Sequence, residues 1–170
     1  DNTFWQKDIE TIEPEALRRL QLERLNGAIA RAAKSEYYGK VLGERGLGPV
    51  GSLDDLAAFP FTSKQDLRDH FPYGFLALPL DESVRLHSSS GTTGTPTVVF
   101  HTKEDLDIWT ECVARSMYMT GARRTDVFQN MMGYGLFTGG IGFHYGSERL
   151  GMLTIPSGTG NSKRQIWFMQ

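Results

Sequence analysis

The chain has 170 residues, 39% hydrophobic, 11% aromatic and 22% charged, with a net charge of −2. These proportions describe a globular chain long enough to close a core and exclude a disordered or collagen-like one. The near-neutral balance carries no footprint for nucleic-acid binding, the single cysteine, Cys112, excludes an internal disulfide framework and a four-cysteine zinc site, and no apolar run reaches the ~18 residues of a membrane-spanning helix.

Residues 1–84 read as mostly helical. Pro14 suits the first turn of a helix, and Leu17, Leu20, Leu25, Ile29 and Ala32 follow near helical spacing. Ser35 is a helix cap, and Gly43, Gly46 and Gly48 break the pattern behind Tyr38, Val41 and Leu42. Ser52 and Ser63 each precede an aspartate three residues on, Asp55 and Asp66, a relative of the capping box. Lys64 follows at a helix start. It has the reach to set a point charge on a phosphate tail, and a solvated helix-start lysine is the competing reading.

From residue 85 the grammar changes. Val84–His87 alternates like a strand, and Val98–Phe100 is another. Thr102 caps a helix with Asp105 behind it; Leu106, Trp109, Val113 and Met117 form the apolar stripe, Gly121 ends it, and Cys112 reads as a buried small residue. Asp126–Gln129 is strand-like, a short helix is expected over 140–149, Met152–Ile155 is a strand, and Asn161 or Ser162 caps a closing helix. Strand and helix alternating at short intervals predict an α/β fold. We expect a helical N-terminal section, 1–84, packed on an incomplete, mainly parallel sheet within 85–170, both parts of one catalytic domain. The first section carries a net −4 and the second +2, which points a small anion toward the second.

Ser88-Ser89-Ser90-Gly91-Thr92-Thr93-Gly94-Thr95 places six hydroxyls and two glycines in eight residues between two strands. Glycines let successive N–H groups converge on an anion, and hydroxyls add rotatable donors. A polyphosphate tail needs such a cluster of neutral donors. No Lys follows Gly94, so the loop is not a P-loop. A flexible Ser/Thr/Gly linker is the competing reading.

The loop resembles the phosphate-binding signature of the adenylate-forming enzymes, the acyl-CoA synthetase superfamily. More narrowly, Phe59–Arg68, the loop, and Gly133–Gly140 continuing through His144–Gly151 are similar to the phenylacetate–coenzyme A ligase family. The resemblance covers essentially the whole chain. It implies an AMP-forming acid–thiol ligase: an aryl acetate attacks ATP, accompanied by Mg2+, and coenzyme A then takes the acyl group from the adenylate. It implies that Ser88, Ser89, Ser90, Gly91, Thr92, Thr93, Gly94 and Thr95 hold the ATP phosphates. It further implies that Tyr134, Gly135, Phe137, Gly139 and Gly140 form an aryl-substrate wall, for which ordinary packing at a tight turn is the alternative. The family commonly has a tyrosine where this chain has Met132, so the identity of the acid stays open.

His87 and His144 stand 57 positions apart without metal-ligand spacing, and no metal site is expected. Both read as structural histidines, His144 with a substrate-side alternative. Glu148 and Arg149 read as helix-surface or helix-end charges. The chain starts without Met and stops in the apolar run Ile166–Gln170, so we expect a stretch of a longer protein with little or no ligase activity alone. The adenine and CoA contacts and the main catalytic lysine are then expected elsewhere. Partners are expected to be small molecules, without nucleic acid or membrane, with a homodimer contact open. No basic-then-apolar leader is present, so a cytoplasmic location is expected. A free-standing nucleotide or anion binder without chemistry is the alternative function, and a structural interaction domain a third.

Overall fold

The computed structural model describes residues 3–89, 94–136 and 138–170. Its elements in chain order are α1 (Lys7–Glu10), α2 (Pro14–Ala32), α3 (Glu36–Arg45), a 3₁₀ turn (Leu53–Ala58), α4 (Lys64–Asp69), a second 3₁₀ turn (Leu80–Glu82), β1 (Arg85–Ser88), β2 (Val98–His101), α5 (Lys103–Met119), β3 (Val127–Gln129), α6 (Thr138–Leu150), β4 (Leu153–Ile155) and α7 (Ser162–Trp167). This is the mixed α/β architecture expected from the sequence. By packing, the chain divides into two compact units, residues 11–100 and residues 1–10 with 101–170.

In the unit of residues 11–100, short-range capping sets the helix ends. Ser35 accepts from the Tyr38 amide, and Gly46 closes α3 with a φ of 63°, a conformation that favours glycine. Ser52–Asp55 and Ser63–Asp66 form complete reciprocal capping boxes, fuller than the sequence reading. The Asn26 side chain pairs with both backbone groups of Val50, at 3.0 and 2.7 Å, and ties α2 to the segment that leads into the first 3₁₀ turn. Tyr37 stacks on Phe75 with ring centroids 4.3 Å apart, and Tyr38 and His70 meet this pair edge-on. Of the apolar stripe read on α2 only Ile29 is buried, and Leu17 is 37% exposed. β1 and β2 pair as a two-stranded sheet.

In the other unit, β3 and β4 run parallel, with Val127 opposite Leu153 and Gln129 opposite Ile155. Parallel strands need a crossover, and α6 supplies it. α5 packs along α6 around a core of Ala114, Met117, Leu150 and Met152. The helices approach closely because α6 turns glycines toward α5. A Cβ on Gly142 would lie 2.7 Å from the Trp109 ring, and one on Gly146 2.6 Å from Val113. The first ten residues join this unit: Trp5 Nε1 and Gln6 Nε2 each donate to Glu111 on α5 at 3.1 Å.

Cys112 corrects the sequence reading, for it is exposed. The buried line of α5 runs through Leu106, Ala114 and Met117, and at ~100° per residue Cys112 falls on the far side from Ala114.

Candidate functional site

In residues 11–100 the described part of the hydroxyl-rich loop is anchored at both ends. Ser89 donates its amide to the Thr97 carbonyl, and the Thr97 amide donates to Ser89 Oγ, both at 3.0 Å. Ser88 Oγ donates to the Ser89 carbonyl at 2.9 Å. Gly94 has a φ of 129° and open space where a Cβ would stand, so glycine serves conformation here rather than packing. Thr95 is exposed, and its carbonyl accepts from Arg68 Nε at 3.2 Å. Ser90, Gly91, Thr92 and Thr93 lie outside the described residues.

α4 supplies that arginine. Its Ser63–Asp66 box fixes the helix start: the Asp66 carboxylate accepts from the Ser63 amide at 2.7 Å and the Ser63 hydroxyl at 2.6 Å. These bonds hold the carboxyl below the usual aspartate value. Lys64, on the same helix, is exposed. Arg68 thus holds the loop stem, a role unread from sequence. Its one legible sign was its spacing, four residues after Lys64 on a capped helix.

In the other unit, the turn between β3 and α6 is organised around Asn130. This residue follows the carboxyl end of β3 and is 1% exposed. Its amide donates to the Ile155 carbonyl at 2.9 Å, while its carbonyl accepts from the Gly158 amide at 3.0 Å and Ser157 Oγ at 3.1 Å. The carboxyl ends of both parallel strands are thereby joined, and such ends are where open α/β sheets place ligands. The Asn130 side chain donates to Tyr134 Oη at 2.8 Å and to the Gly140 carbonyl at 2.6 Å, and accepts from the Met132 amide at 3.2 Å.

Tyr134 is 36% exposed, with its hydroxyl also 3.2 Å from His144 Nδ1. The other imidazole nitrogen lies 3.1 Å from Glu148 Oε1. Burial raises the phenol above its ordinary pKa; the Asn130 bond opposes this and the Glu148 charge adds to it. Gly140 is buried, and a Cβ there would lie 2.2 Å from the Gly133 carbonyl oxygen. This glycine allows the turn to fold onto the helix start. Gly135 is exposed with open space around it, and Gly139 is half-buried in α6. Phe137 lies outside the described residues. Tyr134, Gly135, Gly139 and Gly140, the described residues of the expected wall, thus share one turn and helix start, organised by Asn130. Asn130 and the Glu148 link were not read from sequence; the signal for the first was a polar residue directly after a strand and before a glycine-rich turn.

Among the described residues no group of three or more His, Cys, Asp or Glu gathers into a metal site, and no helix is long and apolar enough to cross a membrane. No protein-family model matches the chain. Curated phenylacetate–coenzyme A ligases do match it. The enzyme of Thermus thermophilus is 47% identical over 170 residues, covering 98% of this chain and 38% of the relative. That of Pseudomonas putida is 48% identical over 161 residues, covering 93% and 37%. That of Escherichia coli K12 is 44% identical over 160 residues, covering 92% and 37%. The chain therefore spans a little over a third of the length of the relatives it matches. Among solved structures, 2-hydroxyisobutyryl-CoA ligase in the postadenylation state with 2-HIB-AMP superposes with a TM-score of 0.88 at 27% identity, covering 99% of this chain and 38% of that one. The same ligase with 2-HIB-AMP and CoA in the thioesterification state gives 0.88 at 29% identity, covering 98% and 38%.

Proposed function

We propose that this chain, which belongs with the phenylacetate–coenzyme A ligases among the adenylate-forming enzymes, is the phosphate-loop and aryl-wall stretch of an AMP-forming acid–thiol ligase. The observation that carries the reading is identity of 44–48% to such ligases along 92–98% of the chain. In the reaction a carboxylate oxygen of an aryl acetate attacks the α-phosphorus of ATP, and the bond to pyrophosphate breaks. The thiol of coenzyme A then attacks the acyl carbon, and AMP leaves.

Ser88–Thr95 is the ATP-phosphate loop in this reading. Neutral donors and backbone amides suit charge spread over phosphate oxygens. The Ser89–Thr97 bonds and the Arg68 brace support it, because they hold the loop stem without consuming the Thr95 hydroxyl. Tyr134, Gly135, Phe137, Gly139 and Gly140 are the aryl wall, and a Tyr134 that is 36% exposed beside open Gly135 supports that role. Magnesium is assigned to the ATP phosphates it accompanies. Val127 and Leu153, directly opposite one another and 57% and 64% exposed, support further sheet covering this face; a homodimer contact is the other occupant. The setting is the cytoplasm, where ATP and coenzyme A occur.

The test is pyrophosphate release in a protein of the relatives' full length that carries this stretch. Release that depends on both ATP and phenylacetate is expected, followed by acyl-CoA formation when the thiol is added. ATP binding without acid-dependent release would assign a nucleotide-binding module instead. The 170-residue chain alone is expected to yield no acyl-CoA.

A further inference from the structure

We propose that Glu148 and His144 are positioning residues for the Tyr134 phenol, and that with Asn130 they leave it able only to accept a hydrogen bond from a ligand. The argument follows the hydrogens. The Asn130 side-chain nitrogen lies 2.6 Å from the Gly140 carbonyl and 2.8 Å from Tyr134 Oη, while its oxygen faces the Met132 amide at 3.2 Å. Reversing the amide would set oxygen against the Gly140 carbonyl, so the nitrogen is fixed as donor and Tyr134 Oη accepts. At 3.1 Å from His144 Nε2 the Glu148 carboxylate oxygen stands as the acceptor, which places a hydrogen on that nitrogen. In the neutral imidazole Nδ1 is then the acceptor, and at 3.2 Å the phenol hydrogen points to it, whereas an imidazolium would donate from Nδ1.

The helix makes this arrangement available. His144 and Glu148 stand four residues apart on α6 and share one face. The Tyr134 and His144 rings meet edge-on with centroids 5.6 Å apart, which fixes the phenol direction. Once Asn130 and His144 are served, Tyr134 Oη keeps one lone pair and no hydrogen. A carboxylate finds no donor there. An aryl acid therefore presents its ring, or a donor on that ring, to Tyr134 and directs its carboxylate elsewhere. This last step rests on the ligase reading; the directions of the hydrogen bonds do not.

Imidazole ¹⁵N NMR tests the directions. The Nε2–H tautomer of His144 is expected in the wild type, and a mixture of tautomers in Glu148→Ala. Glu148→Asp, which keeps a carboxylate, lies between. In a protein of the relatives' length, Glu148→Ala is expected to raise KM for the aryl acid roughly threefold to tenfold, the scale of one hydrogen bond, with KM for ATP unchanged. Glu148→Asp recovers part of it. An Nδ1–H tautomer or a doubly protonated ring in the wild type, an unchanged ratio in Glu148→Ala, or equal rises in both KM values would overturn the proposal. The expected tautomers without acid-dependent turnover would overturn the ligase reading alone and leave the hydrogen-bond directions standing.

Discussion

The Asn130 side chain donates to the Gly140 carbonyl at 2.6 Å, so one buried amide joins the end of a strand to the first turn of the crossover helix. A second hydrogen of the same group reaches Tyr134 Oη. Asn130→Asp keeps the shape and removes both donors, leaving the Gly140 carbonyl opposite a carboxylate at a site that is 1% exposed. Losing buried partners in this way costs about 2–4 kcal/mol. The expected result is a lower urea midpoint with an unchanged slope, because the loss is of stability and not of compactness. A midpoint within error of wild type would refute the central role of Asn130.

Gly140 and Gly135 belong to the same proposed wall and should separate cleanly. At Gly140 an added Cβ would sit 2.2 Å from a backbone oxygen, an obstacle that cannot rotate away. Gly140→Ala is expected to cost about 3 kcal/mol or more through forced backbone movement. At Gly135 nothing lies within 4 Å of the added atom. Gly135→Ala is expected to change stability by less than about 0.5 kcal/mol yet raise KM for the aryl acid, because its methyl group enters the space assigned to the ligand. Thermal unfolding and steady-state kinetics on the two variants read both effects. Equal melting temperatures would remove the distinction.

What was legible in the sequence was mostly what lies within a helical turn. Ser63 and Asp66 read correctly because a cap and its partner are three residues apart, as are Thr102 and Asp105. The parallel pairing of β3 with β4 followed from strand–helix–strand order. What escaped depends on distant sequence. Glu111 receives Trp5 and Gln6 from more than one hundred positions away, and no local pattern announces that. Asn130 draws its partners from both strand ends and from α6. The glycines at 142 and 146 carried no reading of their own from sequence. In the structure they let α6 approach α5, since glycine frequency alone does not say what comes close. Cys112 was misplaced because it was judged by its neighbours in sequence rather than by its angle around α5.

Asp66 predicts an acid-sensitive cap. Bonds from Ser63 lower its pKa in the folded chain, so the folded state favours the charged carboxylate. Its contribution is fully present above the ordinary aspartate value of about 3.9, and it is lost as pH falls through the lower folded-state value. A carboxyl ¹³C titration should find Asp66 below the ordinary value, and Ser63→Ala should move it back up. Amide exchange in α4 is expected to quicken over that acid window in the wild type and to lose this pH dependence in Asp66→Asn. An ordinary titration in the wild type would remove the cap as the reason that α4 starts where it does.

The same helix carries Arg68 to the loop, and this gives the sharpest separation between the two halves of the proposed chemistry. Arg68 Nε donates to the Thr95 carbonyl at 3.2 Å and braces the stem of the Ser/Thr/Gly loop. Arg68→Ala frees that stem while leaving the Asn130–Tyr134 turn untouched in sequence. In a protein of the relatives' length, KM for ATP is expected to rise about threefold to tenfold, the cost of one charge-assisted bond to a partly solvated carbonyl. KM for the aryl acid is expected to stay within about twofold, because the bond removed is one to the stem of the Ser/Thr/Gly loop. Arg68→Lys keeps charge without the planar guanidinium and is expected to recover little, since the bond is made by Nε in a fixed geometry. Lys64→Ala provides the contrast. A solvated Lys64 leaves KM for ATP unchanged on truncation, whereas one that reaches the phosphates raises it at least as much as Arg68→Ala. If neither variant moved KM for ATP, the loop would lose its assignment to the phosphates.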